Sequence, residues 1–118
     1  MTTEGGDQTG EERPRLTRED VLRLIEEHGG TAQGLDLSGR DLVGIDLLGL
    51  DLSGINLEGA DLEEADLGFA NLQRAILYRT NLQRARLEKA NLQGAHLDFA
   101  KLQAANLGSA KLQGAYLA

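Results

Sequence analysis

The sequence predicts an all-β solenoid with a short α-helix ahead of it, and three observations predict it. Leucine returns every fifth residue from Leu37 to Leu117 without a miss. A small or aliphatic side chain sits two residues before each leucine, and from position 60 it is alanine, with Thr80 the one exception. Hydrophobic residues make up 41% of the chain but aromatic ones only 3%, so whatever core forms is narrow and filled by leucine and alanine.

A period of five excludes both ordinary elements. On an α-helix five residues advance about 500°, so the leucines would spiral over every side. On a flat strand the side-chain period is 2, and an odd repeat would alternate between faces. The backbone must therefore turn once per repeat. Each unit is a short extended piece plus a corner. The leucine and the residue two before it point inward, and the other three point outward. Stacked turns of this kind form a solenoid whose coils are stabilised by the coils above and below.

The units Ala60-Asp61-Leu62-Glu63-Glu64, Ala70-Asn71-Leu72-Gln73-Arg74 and Ala90-Asn91-Leu92-Gln93-Gly94 resemble the pentapeptide repeat family. The resemblance covers residues 35–118 in 17 consecutive units. It implies a right-handed four-sided β-helix with four pentapeptides per coil, hence about four coils here. At a strand spacing of about 4.8 Å the rod is roughly 20 Å long. The small inward residue of the family is replaced at Leu35, Arg40, Ile45, Leu50 and Ile55. The first coil is therefore expected to be wider or irregular, with Arg40 pointing out.

Three segments follow in order. Residues 1–15 are rich in Gly, Glu, Thr and Arg, can bury no face, and read as a disordered tail. Residues 16–30 read as a capping helix. Thr17 is its N-cap, Asp20 completes a capping box, and Leu16 with Val21 forms a hydrophobic staple. Gly29 suits the left-handed residue past its end. Val21, Leu22 and Ile25 make one apolar stripe, with Leu24 at its margin. A helix this short does not persist alone, so it is expected to cover the first coil and its unpaired strand edge. Residues 35–118 are the repeat domain.

Composition narrows the setting. There are no cysteines, hence no disulfide framework. No apolar run is long enough to cross a membrane, and residues 1–15 lack the apolar core of a signal peptide. The expected setting is cytoplasmic and bacterial-type, with no membrane partner.

A register of twenty residues stacks the units into four faces, centred on Leu37, Leu42, Leu47 and Leu52 in the first coil. On that map Glu64 lies over Arg84 and Asp66 over Arg86. Gln73, Gln93 and Gln113 stack on face four beside Asn71 and Asn91, where amide ladders can form. Residues 36–66 hold nine acids and one base, Arg40, whereas residues 68–118 hold two acids and seven bases.

Neither run makes a site. Asp36, Asp41, Asp46 and Asp51 fall one per face and cannot converge on one ion. Arg74, Arg79, Arg84 and Lys89 also point in four directions, and the net charge is −7, so nucleic acid is disfavoured. His28 and His96 have no serine or carboxylate at a catalytic spacing, and no phosphate-binding glycine loop occurs. The sequence thus predicts no enzyme, cofactor or metal site. The family resemblance implies one alternative, a DNA mimic binding a topoisomerase such as DNA gyrase. That role asks for a long, uniformly negative rod, which this charge pattern does not offer.

Face one stands apart. It carries Ile76, Tyr78, His96, Phe99 and Tyr116 at outward or corner positions, as expected of a surface for a protein partner. Phe99 either folds over its own coil or stands free. The final coil has no cap after Tyr116-Leu117-Ala118. Leu112, Tyr116 and Leu117 are therefore a candidate homodimer edge, unless the chain continues in a longer protein.

Overall fold

One pentapeptide explains the whole solenoid. In residues 56–60 every backbone N–H finds an acceptor. Asn56 donates to Leu35 O of the coil before (2.9 Å), while Leu57 donates to Ile76 O (2.8 Å) and Gly59 to Tyr78 O (2.8 Å) of the coil after. Ala60 closes the corner by donating to Leu57 O (2.9 Å). The fifth N–H, of Glu58, donates to the side-chain Oδ1 of Asn56 at 3.0 Å. Buried backbone groups demand this accounting, and the unit meets it with four backbone acceptors and one side chain.

The structure, a computed structural model, describes residues 14–118. The tail expected over residues 1–15 lies outside the described residues up to position 13. Its last residue, Arg15, is placed against the first coil, with Nε 3.3 Å from Asp41 Oδ1. Residues 35–118 form a right-handed four-sided β-helix. Parallel bridges join residues twenty apart on every side, from Asp36 with Asn56 to His96 with Tyr116. The side-chain consequence is the expected one. Leu42, Leu52, Leu57, Leu62, Leu67, Leu72, Leu77, Leu82, Leu87 and Leu92 are fully buried, with Ala65, Ala70, Ala75, Ala90 and Ala95 beside them. Thr80, standing among the alanines, is also fully buried, and its hydroxyl donates to Leu57 O at 2.8 Å.

The polar residue before each leucine has a specific task. Asp41, Asp51, Asp61, Asp66, Asn71, Asn81, Asn91 and Asn106 all accept, through Oδ1, the N–H two residues on. An Asp or Asn side chain is the right length to close such a ring on its own backbone. The aspartates of the first two coils are thus built into the turns, whereas Glu63 and Glu64 engage Arg84 instead.

Corners impose a second rule. The residue two after each leucine has positive φ at every corner from Gly39 to Gly114. A type II turn requires this at its third position, and glycine meets the demand most easily. Nine of these corners carry another residue, among them Phe69 (φ 58°), Arg79 (φ 54°), Phe99 (φ 61°) and Ala104 (φ 63°). For such residues the left-handed conformation costs about 1–2 kcal/mol. Glycine gives back only about 0.4–1 kcal/mol through the unfolded state. Ala104→Gly is therefore expected to stabilise the protein by about 1 kcal/mol, and Gly59→Ala, at φ 68° with open space around it, to destabilise it by about as much. Urea melts check both signs. A less stable Ala104→Gly would contradict the corner argument.

The helix α1 (Arg18–Glu27) has a complete capping box. Asp20 N–H donates to the Thr17 hydroxyl, and the Asp20 carboxylate accepts from Thr17 N–H. That bond from the Thr17 backbone, with the Thr17 hydroxyl and then Arg23, holds the Asp20 carboxyl below its ordinary value. Past the C-terminus Gly29 (φ 99°) and Gly30 (φ 91°) return N–H groups to Glu26 O and Ile25 O, which ends the helix. The segment then covers the first coil. Leu16 N–H donates to Asp41 O (3.0 Å), and the Arg18 guanidinium reaches Leu48 O (3.2 Å) and Asp46 Oδ1 (3.3 Å). Leu16 and Val21 are buried against the end of the lumen.

Two expectations for the first coil need correction. Its register and hydrogen bonds match those of the later coils, so it is not irregular. Leu35, Ile45 and Ile55 are buried at inward positions and Leu50 is half-buried. Nor does Arg40 simply point out. It is half-buried, and its Nε is shielded from water with no hydrogen-bond partner among the described residues. The reason is register: Arg40 occupies the inward place taken by Ala60 one coil later, so the first part of its side chain must lie within the wall.

Candidate interaction surface

Face one presents an aromatic column built by the twenty-residue stack. Ile76, His96 and Tyr116 occupy the same position in successive coils and are linked by parallel bridges. The His96 and Tyr116 rings are stacked 4.5 Å apart with planes 2° from parallel, and Tyr78 stacks on His96 at 5.9 Å. Ile76 and His96 are half-buried, whereas Tyr78 and Tyr116 are exposed. Phe99 does not fold over its own coil. It is 67% exposed at a left-handed corner, with the Arg79 guanidinium 5.7 Å from its ring centre. The structure therefore brings Tyr78, His96 and Tyr116 into one column and leaves Phe99 on the adjoining corner.

The fourth coil loses cover gradually. Leu112 is half-buried, and Leu117 is 59% exposed beside Tyr116.

Charge is locally neutralised along the other faces. Arg84 engages both Glu63 and Glu64 (the latter at 3.4 Å), and Arg86 lies 3.6 Å from Asp66. With Arg15 on Asp41 and Arg18 on Asp46, arginines interrupt the acidic coils on several sides. Each exposed pair contributes about 0–1 kcal/mol. Gln73, Gln93 and Gln113 form the expected amide ladder, with Nε2 to Oε1 distances of 3.2 and 3.3 Å.

The sequence reading missed a feature on face three. A cavity of about 300 Å³ opens there, lined by Leu48, Asp66, Gly68, Phe69, Arg86, Glu88 and Lys89. The signal was available in the stack: Leu48, Gly68, Glu88 and Gly108 share one outward column, and Phe69 and Lys89 share the next corner. An apolar residue above a glycine, flanked by a phenylalanine, marks a hollow with apolar walls.

Comparison with known proteins bears on the fold. A family model for pentapeptide repeats matches in eight copies, over residues 33–67, 41–79 and 80–117. Among solved structures, a pentapeptide repeat protein from Nostoc PCC 7120 is 36% identical with a TM-score of 0.72, covering 85% of this chain and 79% of that one. Another, from the cyanobacterium Cyanothece 51142, is 33% identical with a TM-score of 0.43, covering 75% of this chain and 67% of that one. A third, from the Arabidopsis thaliana thylakoid lumen, is 28% identical with a TM-score of 0.46, covering 72% and 59%. No curated protein matches the chain.

Proposed function

The chain belongs to the pentapeptide repeat family, and from that premise we propose that it is a non-catalytic, cytoplasmic protein-interaction module. The observation that carries this reading is the aromatic column on face one. Tyr78, Tyr116 and Phe99 are among the large apolar side chains left exposed in the described residues; Tyr78 and Tyr116 both stack on His96, and Phe99 stands on the adjoining corner. The lumen needs none of them, since leucine and alanine fill it. Aromatic side chains gathered on a rigid surface are what the centres of protein interfaces use.

Affinity purification from the native host with mass spectrometry tests the reading. The wild type is compared with a Tyr78→Ser, Phe99→Gly, Tyr116→Ser variant, whose lumen is unchanged. The variant is expected to fold normally and to lose partners that the wild type retains. An identical set of partners would overturn the assignment of the surface. Self-association through Leu112, Tyr116 and Leu117 belongs to the same proposal, supported by the exposure of Tyr116 and Leu117 beside the half-buried Leu112, and sedimentation equilibrium measures it. The alternative, a topoisomerase-binding DNA mimic, is disfavoured by the arginines seated on Asp41, Asp46, Glu64 and Asp66. In a gyrase supercoiling assay no inhibition is expected, and stoichiometric inhibition would replace the present reading.

A further inference from the structure

We propose that face four, from the second coil to the fourth, is a docking surface for a short acidic segment of a protein partner. It is separate from the aromatic column and stands whether or not that column binds anything. With the corner that leads into it, this face comprises residues 69–74, 89–94 and 109–114. Those three stretches hold no aspartate or glutamate and three bases, Arg74, Lys89 and Lys111. The same coils carry acid on every other face: Glu58 and Asp98 on face one, Asp61 and Glu63 on face two, Asp66 and Glu88 on face three. None of the three bases enters an ion pair among the described residues, where the pairs are made by Arg15, Arg18, Arg23, Arg84 and Arg86. The positive charge of this face is therefore not cancelled within it.

Arg74 and Lys89 sit on the two corners that bound the face. A Cβ on Gly94 would meet Arg74 Cγ at 3.2 Å, so the Arg74 side chain runs along its corner towards the third coil. Lys89 turns the other way, with Nζ 5.3 Å from the Phe69 ring centre in the second coil. The amides between them are turned to donate. Gln73 Nε2 donates to Gln93 Oε1 and Gln93 Nε2 to Gln113 Oε1, while Asn71 and Asn91 Oδ1 accept the N–H groups of Gln73 and Gln93. Of these five side chains Gln73 alone keeps an unoccupied amide oxygen among the described residues, whereas every amide nitrogen keeps a hydrogen without an acceptor. A positive surface rich in N–H donors is the complement of carboxylates, which only accept.

Folding calls for none of the three bases. Arg74 and Lys89 both hold φ 60°, where glycine is easier. Glu64 and Arg84, at other such corners, at least pair with each other. Lys111 stands where an Asp or Asn closes the turn, as Asn71 and Asn91 do, and Gln113 N–H has no acceptor among the described residues. Size then selects a peptide over a nucleic acid. The three rows span about 10 Å at about 4.8 Å per coil, the length of about three extended residues. Asp51 occupies the row above, and Glu88 lies beyond the Lys89 corner. A long polyanion would meet both, and the net charge of −7 opposes it further. A few carboxylates match the three bases, and Phe69, 62% exposed at the edge, is left for an apolar neighbour.

The test is an NMR titration of the ¹⁵N-labelled full chain with a blocked peptide of three glutamates and one leucine. One control peptide has glutamine in place of glutamate, and a second ligand is a short oligothymidylate. Saturable shifts are expected in the side-chain amides of Gln73, Asn91 and Gln93 and in the backbone signals of Lys89 and Lys111. The glutamine peptide should bind about tenfold more weakly, and raising salt from about 50 to about 300 mM should weaken the glutamate peptide several-fold. Arg74→Gly, Lys89→Gly and Lys111→Asn each suit the backbone better than the residue present. The triple variant should therefore melt no lower than the wild type while binding about tenfold more weakly. Tyr78→Ser on face one should bind as the wild type does. Wild-type affinity in the triple variant, equal binding of the glutamine peptide, tighter binding of the oligothymidylate, or no shift at millimolar peptide would each overturn the proposal. Shifts confined to face one would overturn it as well.

Discussion

Leu72→Ala is expected to destabilise the protein by about 2–5 kcal/mol. Leu72 is fully buried in the second coil, between Leu52 and Leu92 of the neighbouring coils. The wall around it is a lattice of backbone hydrogen bonds. Leu72 N–H donates to Asn91 O at 2.7 Å, Asn71 N–H to Leu50 O at 2.9 Å, and Ala75 N–H to Leu72 O at 3.0 Å. Closing the gap would require these bonds to stretch together, so most of the cavity remains, and a cavity that cannot relax is the expensive kind. Gln73→Ala, one residue away, removes an outward side chain and one amide contact to Gln93, and should cost less than about 1 kcal/mol. Urea unfolding of the two variants measures both. Equal costs would mean that the inward and outward positions are wrongly assigned.

The second large effect concerns the capped end. Deleting residues 1–30 is expected to convert a well-behaved protein into oligomers or aggregates, seen by light scattering. The deletion removes Leu16 and Val21, which are buried against the first coil, and the bond from Leu16 N–H to Asp41 O. It also removes Arg18, which serves Asp46 and the Leu48 carbonyl. What remains is an apolar lumen end ringed by backbone groups without partners, which is the surface on which strands of other molecules pair. Leu22→Ser alters an exposed residue of the same helix and should leave the protein monodisperse. A truncated form that stays fully folded and monodisperse would show that this edge needs no cover.

Most of the fold was legible because its rules are local. A five-residue leucine period admits only a backbone that turns once per unit. Thr17 with Asp20, and Gly29 past His28, mark the two ends of α1 through bonds that span three to five residues. The asparagines and aspartates before the leucines were legible as outward residues. Their task was less so, because accepting the N–H two residues on depends on a turn geometry that composition alone does not specify.

By itself the sequence determined a solenoid with a leucine and alanine lumen, because one geometry satisfies every copy of the pattern. It also determined a capping helix, whose end signals are local. The four sides and the twenty-residue register came with the resemblance to the pentapeptide repeat family. Only the tertiary structure decided how Arg40 lies in the wall, that Phe99 stands free above Arg79, and that Leu48, Gly68, Phe69 and Glu88 enclose a hollow. These depend on residues about twenty apart along the chain, and on the space that a missing side chain leaves between its neighbours. A linear pattern records which residues face outward. It does not record how deeply they sit or what gap they frame, because those are set by the coils above and below.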